Sequence, residues 1–425
     1  MGLRSLPHPA RPGRIVGERG HHRRARGIIS TLAVATVAVL GAGCAVATAA
    51  STHPGSAGSG TAATPAAPTP TAAPAVSIAP TGGGPINPRT PIAVTARVGR
   101  LSSVQVVNVV RHTTVTGAFS ADHHSWHSTE PLGYGARYTV TAHTQTASGG
   151  SATQAGTVST LAPAHQASAT LTPDPGSVST GGVGIGQPLV IHFSRPVADE
   201  QAVQRALTVT SSPAQPGDWY WMDHQTVHYR PKRFWTPGTT LKLSAHIYGQ
   251  DLGGGTYGAA DVSARYHVHD SWLAKADGST DQMRIYHSGK LVKTIPISMG
   301  KGATPTHSGI HVVSSKSREV RMNSCTYGVC SGPKAYNVIE HWAERISTDG
   351  EFVHENPDSV TQQGHTNVSH GCINLNKANA EWFYAHFGPG DVVEVSHSGG
   401  PALPVWDTYG DWSLNWNQWQ AGNSG

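Results

Sequence analysis

Residues 354–375 read His354-Glu355-Asn356-Pro357-Asp358-Ser359-Val360, then Thr361-Gln362-Gln363-Gly364-His365-Thr366-Asn367, then Val368-Ser369-His370-Gly371-Cys372-Ile373-Asn374-Leu375. One thiol, Cys372, follows a histidine and a glycine. Glycine before a nucleophile lets the backbone turn sharply and lets a substrate carbonyl come close. The N–H groups of Gly371 and Cys372 can then face a developing oxyanion. Asn374 is suited to anchoring this turn through its side chain. Only the thiolate attacks well, so Cys372 needs a neighbour that takes its proton. His354, His365 and His370 are the candidates. His354 lies 18 residues upstream, at the end of an expected strand Glu351-Phe352-Val353. A strand end is a rigid mount for a base. His370 is better placed to contact substrate or fix the loop.

Three other readings of these residues stand beside nucleophilic catalysis. Cys372 is a buried structural cysteine, or His365, His370 and Cys372 ligate zinc, or the histidines reflect a chain that carries 25 of them. No fourth ligand at a familiar spacing stands nearby, so no metal is expected. A second cluster, Asp122, His123, His124 and His127, fits no metal spacing and reads as a solvated hairpin connection beside Trp126.

Outward from this stretch, residues 269–400 read as one unit. Strands are expected at Met283–Tyr286, Leu291–Ser298 and Asp391–Val395. A helix is expected over Lys377–Phe387, where Ala380, Phe383, Tyr384 and Phe387 keep helical spacing and Gly388-Pro389-Gly390 stops it. Residues 401–425 form a tryptophan-rich extension. Upstream, residues 166–268 alternate at Leu189, Ile191 and Phe193 and again at Leu241, Leu243, Ala245 and Ile247. Trp219, Tyr220 and Trp221 are expected in a core or between domains. Residues 76–165 alternate at Ile92, Val94, Ala96 and Val98 and at Tyr138, Val140 and Ala142. Short alternating strands at this spacing point to two small all-β sandwiches. The fold class is mainly β, with one or two helices in the last unit.

Residues 51–75 are Ser, Thr, Ala, Gly and Pro, an extended tether. Residues 1–50 place seven arginines before an uncharged apolar run, the order of an export signal. The run is also long enough for a single membrane anchor. Gly41-Ala42-Gly43-Cys44 resembles a lipoprotein processing site with Cys44 as the lipidated residue; the alternative is an ordinary cysteine in an apolar segment. Each exported reading places the rest of the chain at the outer face of the plasma membrane, reaching into the cell envelope. The whole chain carries +5, with Gly 49, Pro 29 and only 13% charged residues. The basic leader supplies that excess, so the remainder lacks the positive face that nucleic acid requires. The low charge also excludes a coiled coil or helical bundle.

Ser369-His370-Gly371-Cys372-Ile373-Asn374, with a histidine 18 residues before the cysteine, resembles the signature of the bacterial L,D-transpeptidases. Gly364-His365-Thr366-Asn367, Ser324-Cys325-Thr326-Tyr327-Gly328 and the tryptophan-rich end extend the likeness. The upstream sandwiches are similar to the immunoglobulin-like modules of actinobacterial members. The resemblance implies a peptidoglycan cross-linking enzyme with Cys372 as nucleophile and His354 as base. It implies an oxyanion hole of the Gly371 and Cys372 N–H groups with the Tyr336 hydroxyl. Met322, Tyr327, Ser369, His370 and Asn374 are then the substrate-binding positions. Cys372 would form a thioester with a donor tetrapeptide stem, releasing D-alanine. An acceptor stem amine would resolve it into a link between third residues, with no cofactor and no ATP. Carbapenems are the expected inhibitors.

The sequence departs from the family pattern at Glu355, where Ser is common, at Asp358, where Trp is common, and at Cys325 and Cys330. If a backbone carbonyl orients the imidazole, the Glu355 side chain matters little. Cys325 and Cys330 are expected to form a disulfide across a hairpin tip, holding a lid-like segment. An L,D-carboxypeptidase, using water as acceptor, and a non-catalytic wall-binding protein are the alternatives. A papain-like peptidase is disfavoured, because its nucleophile precedes its histidine in the chain.

Overall fold

The computed structural model describes residues 76–80, 83–176, 181–327, 329–332 and 335–422. The leader, the tether and Cys44 lie outside the described residues, as does the side chain of Tyr327.

The first sandwich packs the sheet of Val76–Ala79, Ala93–Ala96, Ser125–Ser128 and Gly117–Phe119 against Arg100–Asn108, Arg137–Gln145 and Ser151–Ser159. Its core holds Ile92, Val94, Trp126, Tyr138, Val140 and Ala142. Val98 does not continue the buried face; it is 59% exposed. The strand ends at Ala96, and Gly99 turns the chain at φ +74°, where a Cβ would overlap the Gln145 carbonyl. Asp122–His124 form the hairpin turn, with Trp126 buried in the strand that follows.

The second sandwich sets Ala169–Thr172, Leu189–Phe193, Thr226–Pro231 and Gly217–Asp223 against Leu207–Ser212, Thr240–Ala245 and Val262–His267. Leu189, Ile191, Phe193, Leu241, Leu243 and Ala245 fill its core, as period-2 alternation requires. A short helix, Glu200–Gln204, was not legible in the sequence; Asp199 caps it by accepting the Ala202 N–H at 2.8 Å.

The last unit contains a five-stranded sheet in the order Lys290–Pro296, Gln282–His287, Trp272–Asp277, Val392–Ser396, Gly309–Val312. A four-stranded sheet runs Ser315–Asn323, Asn337–Arg345, Phe352–Glu355, Ile373–Leu375. Helix Lys377–His386 is capped by Asn376 and buries Ala380 and Phe383. Phe387, just past its end, stacks on Phe383 with centroids 3.9 Å apart. Each such buried aromatic contributes about 1.5–3 kcal/mol.

The tryptophan-rich end straps this unit to the second sandwich. Arg230 of the sandwich lies 4.7 Å from the Trp412 ring and 4.5 Å from the Trp419 ring. Its guanidinium donates to the Leu414 and Asp411 carbonyls at 2.7 and 3.2 Å. Tyr220 stacks on Trp419, whereas Trp221 stacks on Phe193 inside the sandwich. The aromatic run at 219–221 therefore serves both a core and a domain contact.

Candidate active site

Strand Phe352–Glu355 pairs parallel with Ile373–Leu375, with His354 opposite Asn374. Paired residues share a face, and side chains alternate along each strand. His354, Asn374 and Cys372 therefore project together. They open into a cleft of about 320 Å³ with Met322, Tyr336 and His370. His365 is not among its lining residues.

The turn leading into Cys372 is held from several sides. Gly371 has φ +136°, and a Cβ there would come within 3.4 Å of Glu351 Cγ. Ser369 Oγ donates to the Cys372 carbonyl at 2.6 Å and accepts the Gly371 N–H at 3.0 Å. Thr306 Oγ1 donates to the Gly371 carbonyl at 2.7 Å. Ser369, expected at a substrate-binding position, lines the cleft and also ties the turn together. An oxyanion at the Gly371 N–H would share that group with Ser369.

Cys372 is 8% exposed, and its Sγ lies 3.5 Å from the Gly350 carbonyl. His354 is 3% exposed. Its Nδ1 donates to the Glu355 carbonyl at 2.6 Å, so the backbone of Glu355 orients the imidazole. That leaves Nε2 for Cys372. Burial opposes charge on His354, but hydrogen bonds with Cys372 and Glu340 outweigh it and hold the imidazole up at about 10. These contacts favour the charged imidazole.

Glu340 is the residue that sequence reasoning missed; its Oε2 lies 3.4 Å from His354 Nδ1. A bulge places it there. His341 opposes Glu355 and Glu344 opposes Val353, leaving two residues against His354 alone. Trp342 takes φ +49° in that bulge. Unbroken alternation would put Glu340 on the face of Glu344; the extra residue turns it to the face of His354.

The Tyr336 and His370 rings face each other across the cleft with centroids 5.4 Å apart. Lys301 Nζ is 3.2 Å from His370 Nε2. Asn374 Nδ2 donates to Ser359 Oγ at 3.1 Å, while its buried Oδ1 has no hydrogen-bond partner. Asp358 sits exposed on the rim, in the turn Pro357–Ser359. Cys325 and Cys330 are bonded to each other, with Cα atoms 4.1 Å apart.

Behind Gly371, Glu351 accepts His307 Nδ1 at 3.0 Å and bonds His311 Nε2 at 3.2 Å. Among the described residues, His307, Asp349 and Glu351 are the group whose ligand atoms approach closely enough for a metal. That group contains neither His365, His370 and Cys372 nor the Asp122 cluster. Burial would raise the Glu351 carboxyl, but bonds to His307 and His311 outweigh it and hold it down at about 2. A depressed carboxyl stabilises the fold above its unfolded value and loses that contribution as pH falls through its folded value. The wild type should therefore exceed Glu351→Gln in stability most near pH 6. Urea unfolding should show that gap narrowing by about 2 kcal/mol between pH 6 and pH 3. A gap independent of pH would mean that the Glu351 charge adds nothing to the fold.

Comparison with known proteins accords with this geometry. Residues 272–395 match the family model of the L,D-transpeptidase catalytic domain, and residues 84–251 match that of the bacterial Ig domain. L,D-transpeptidase 2 of Mycobacterium tuberculosis is 42% identical over 79% of this chain and 81% of its own length. L,D-transpeptidase 5 of the same species is 34% identical over 78% and 73%. The crystal structure of L,D-transpeptidase 3 from M. tuberculosis, with a faropenem-derived adduct, is 30% identical, with a TM-score of 0.45 over 54% of this chain and 97% of that one. With its catalytic domain and its Ig-like region both matched, and with that identity extending over most of a relative's length, the chain belongs to the L,D-transpeptidase family and is an enzyme of that class.

Proposed function

We propose that this enzyme joins peptidoglycan stems through a Cys372 thioester. The observation that carries the reading is the placement of buried His354 and Cys372 on one face of an open cleft. An imidazolium within hydrogen-bonding reach is the partner a thiolate needs. The Cys372 sulfur attacks the carbonyl of the third residue of a donor tetrapeptide. The Cys372 N–H, the shared Gly371 N–H and the Tyr336 hydroxyl receive the oxyanion. His354 gives its Nε2 proton to the departing D-alanine amine as the peptide bond breaks. Neutral His354 then takes a proton from the amine of an acceptor stem, which attacks the thioester and expels the Cys372 thiolate. One peptide bond is broken and one formed, so no nucleotide is consumed.

Met322, Tyr327 and His370 shape the substrate cleft in this reading. The unpartnered Asn374 Oδ1 accepts a backbone N–H of the donor stem. Carbapenems acylate the same sulfur. The enzyme works in the cell envelope outside the plasma membrane, and the residue 51–75 segment spaces the folded units from an anchor at residues 1–50, lipidated at Cys44. Incubation of the purified chain with a disaccharide-tetrapeptide tests the reaction. Mass spectrometry should find a dimer that has lost one D-alanine. Disaccharide-tripeptide alone would make water the acceptor and the enzyme an L,D-carboxypeptidase. Unchanged tetrapeptide would overturn the reading.

A further inference from the structure

We propose that Glu340 is a positioning residue for His354, sharing its Nδ1–H with the Glu355 carbonyl and keeping the imidazole charged and turned toward Cys372. The proposal rests on the roles of Cys372 and His354 given above.

The geometry sets two acceptors on one ring nitrogen, the Glu355 carbonyl at 2.6 Å and Glu340 Oε2 at 3.4 Å. Both require the proton on Nδ1, which fixes the tautomer and leaves Nε2 for proton transfer. The Glu340 side chain is only 15% exposed, so water and salt screen its field weakly. The bulge that brings it there keeps Trp342, a non-glycine residue, at φ +49°. Such backbone is held only where surrounding structure enforces it, and it clusters at functional sites.

Other groups near His354 do not duplicate this role. Cys372 faces it from just before the neighbouring strand Ile373–Leu375. Glu344 lies on the opposite face of the strand that carries Glu340, fully buried, with neither carboxylate oxygen hydrogen-bonded. Burial pushes the Glu344 carboxyl well above the usual range, with Lys316 and His354 opposing only in part. Asp358 is exposed on the cleft rim, His370 is exposed on the far wall, and Glu355 touches His354 through its carbonyl. Among the described residues, Glu340 is the carboxylate within ion-pair distance of the imidazole.

A neighbouring anion favours imidazolium over imidazole, so it raises the pH at which His354 loses the proton it must donate. Glu340→Gln preserves size and a hydrogen-bond acceptor but removes the charge. Acylation of the full chain by meropenem reads the step, because the ring-opened nitrogen takes the same proton. Rates followed by intact mass from pH 5 to pH 10 should show the alkaline limb of Glu340→Gln moved down by about one unit. The variant should then be about fivefold slower than wild type at pH 10 and within about threefold at pH 6. Glu340→Asp, which restores the charge, should recover part of the limb. An unmoved limb would overturn the proposal, as would equal slowing at every pH with a lowered melting temperature. A wild type that takes no adduct would remove the Cys372 reading and this proposal together. An unmoved limb in the presence of an active wild type removes this proposal alone.

Discussion

Cys372→Ala should form no stem dimer and take no carbapenem, while folding as the wild type does. The sulfur lies in a small apolar cluster with Met322, Ala343 and Phe352. Removing it costs packing of about 1 kcal/mol, which shifts a melting temperature by only about 2–4 °C. The turn is held by bonds that this substitution leaves in place. Ser369 Oγ still donates to the residue 372 carbonyl, and Thr306 still donates to that of Gly371. Loss of activity with the fold intact therefore isolates the sulfur as the reacting atom. Product mass spectrometry and a thermal melt on the same sample measure both halves. Dimer formed by the alanine variant, or a variant that unfolds at 25 °C, would count against it.

His354→Ala is expected to slow acylation by about 10²–10⁴, the range removed with a positioned acid–base group. Glu355→Ala should slow it less than about threefold, because the contact to the imidazole is the backbone carbonyl and alanine keeps that. Stopped-flow acylation rates of the two variants at pH 7 decide the matter. Comparable losses would make the Glu355 carboxylate a working member of the site.

Cys372 and His354 could be singled out in the sequence because each is marked locally. Gly371 signals the turn before Cys372, and Glu351-Phe352-Val353 signals the strand that ends at His354. The partner carboxylate was not. Glu340 and Glu344 are four residues apart, and strict alternation puts them on one face. Only the bulge at Trp342 separates them, and no glycine marks it. The same limit explains Val98, where alternation was carried past the strand end at Ala96 into the turn. Strand Trp272–Asp277 went unread because two of its inward residues, Ala274 and Ala276, carry little apolar signal. Ser369 was legible as part of the motif, but not the direction of its hydroxyl, which depends on the folded turn. The tryptophans at 412 and 419 were legible only as part of a tryptophan-rich extension. Their partner, Arg230, is some 180 residues away, in a strand that gives no sign of it.

Intact mass after meropenem treatment, followed by peptide mapping, bears most directly on the reading of Cys372 as the acylated sulfur. Wild type should gain the mass of one drug molecule, carried on the peptide containing Cys372, and Cys372→Ala should gain none. An adduct on any other residue, or no adduct on the wild type, would contradict it.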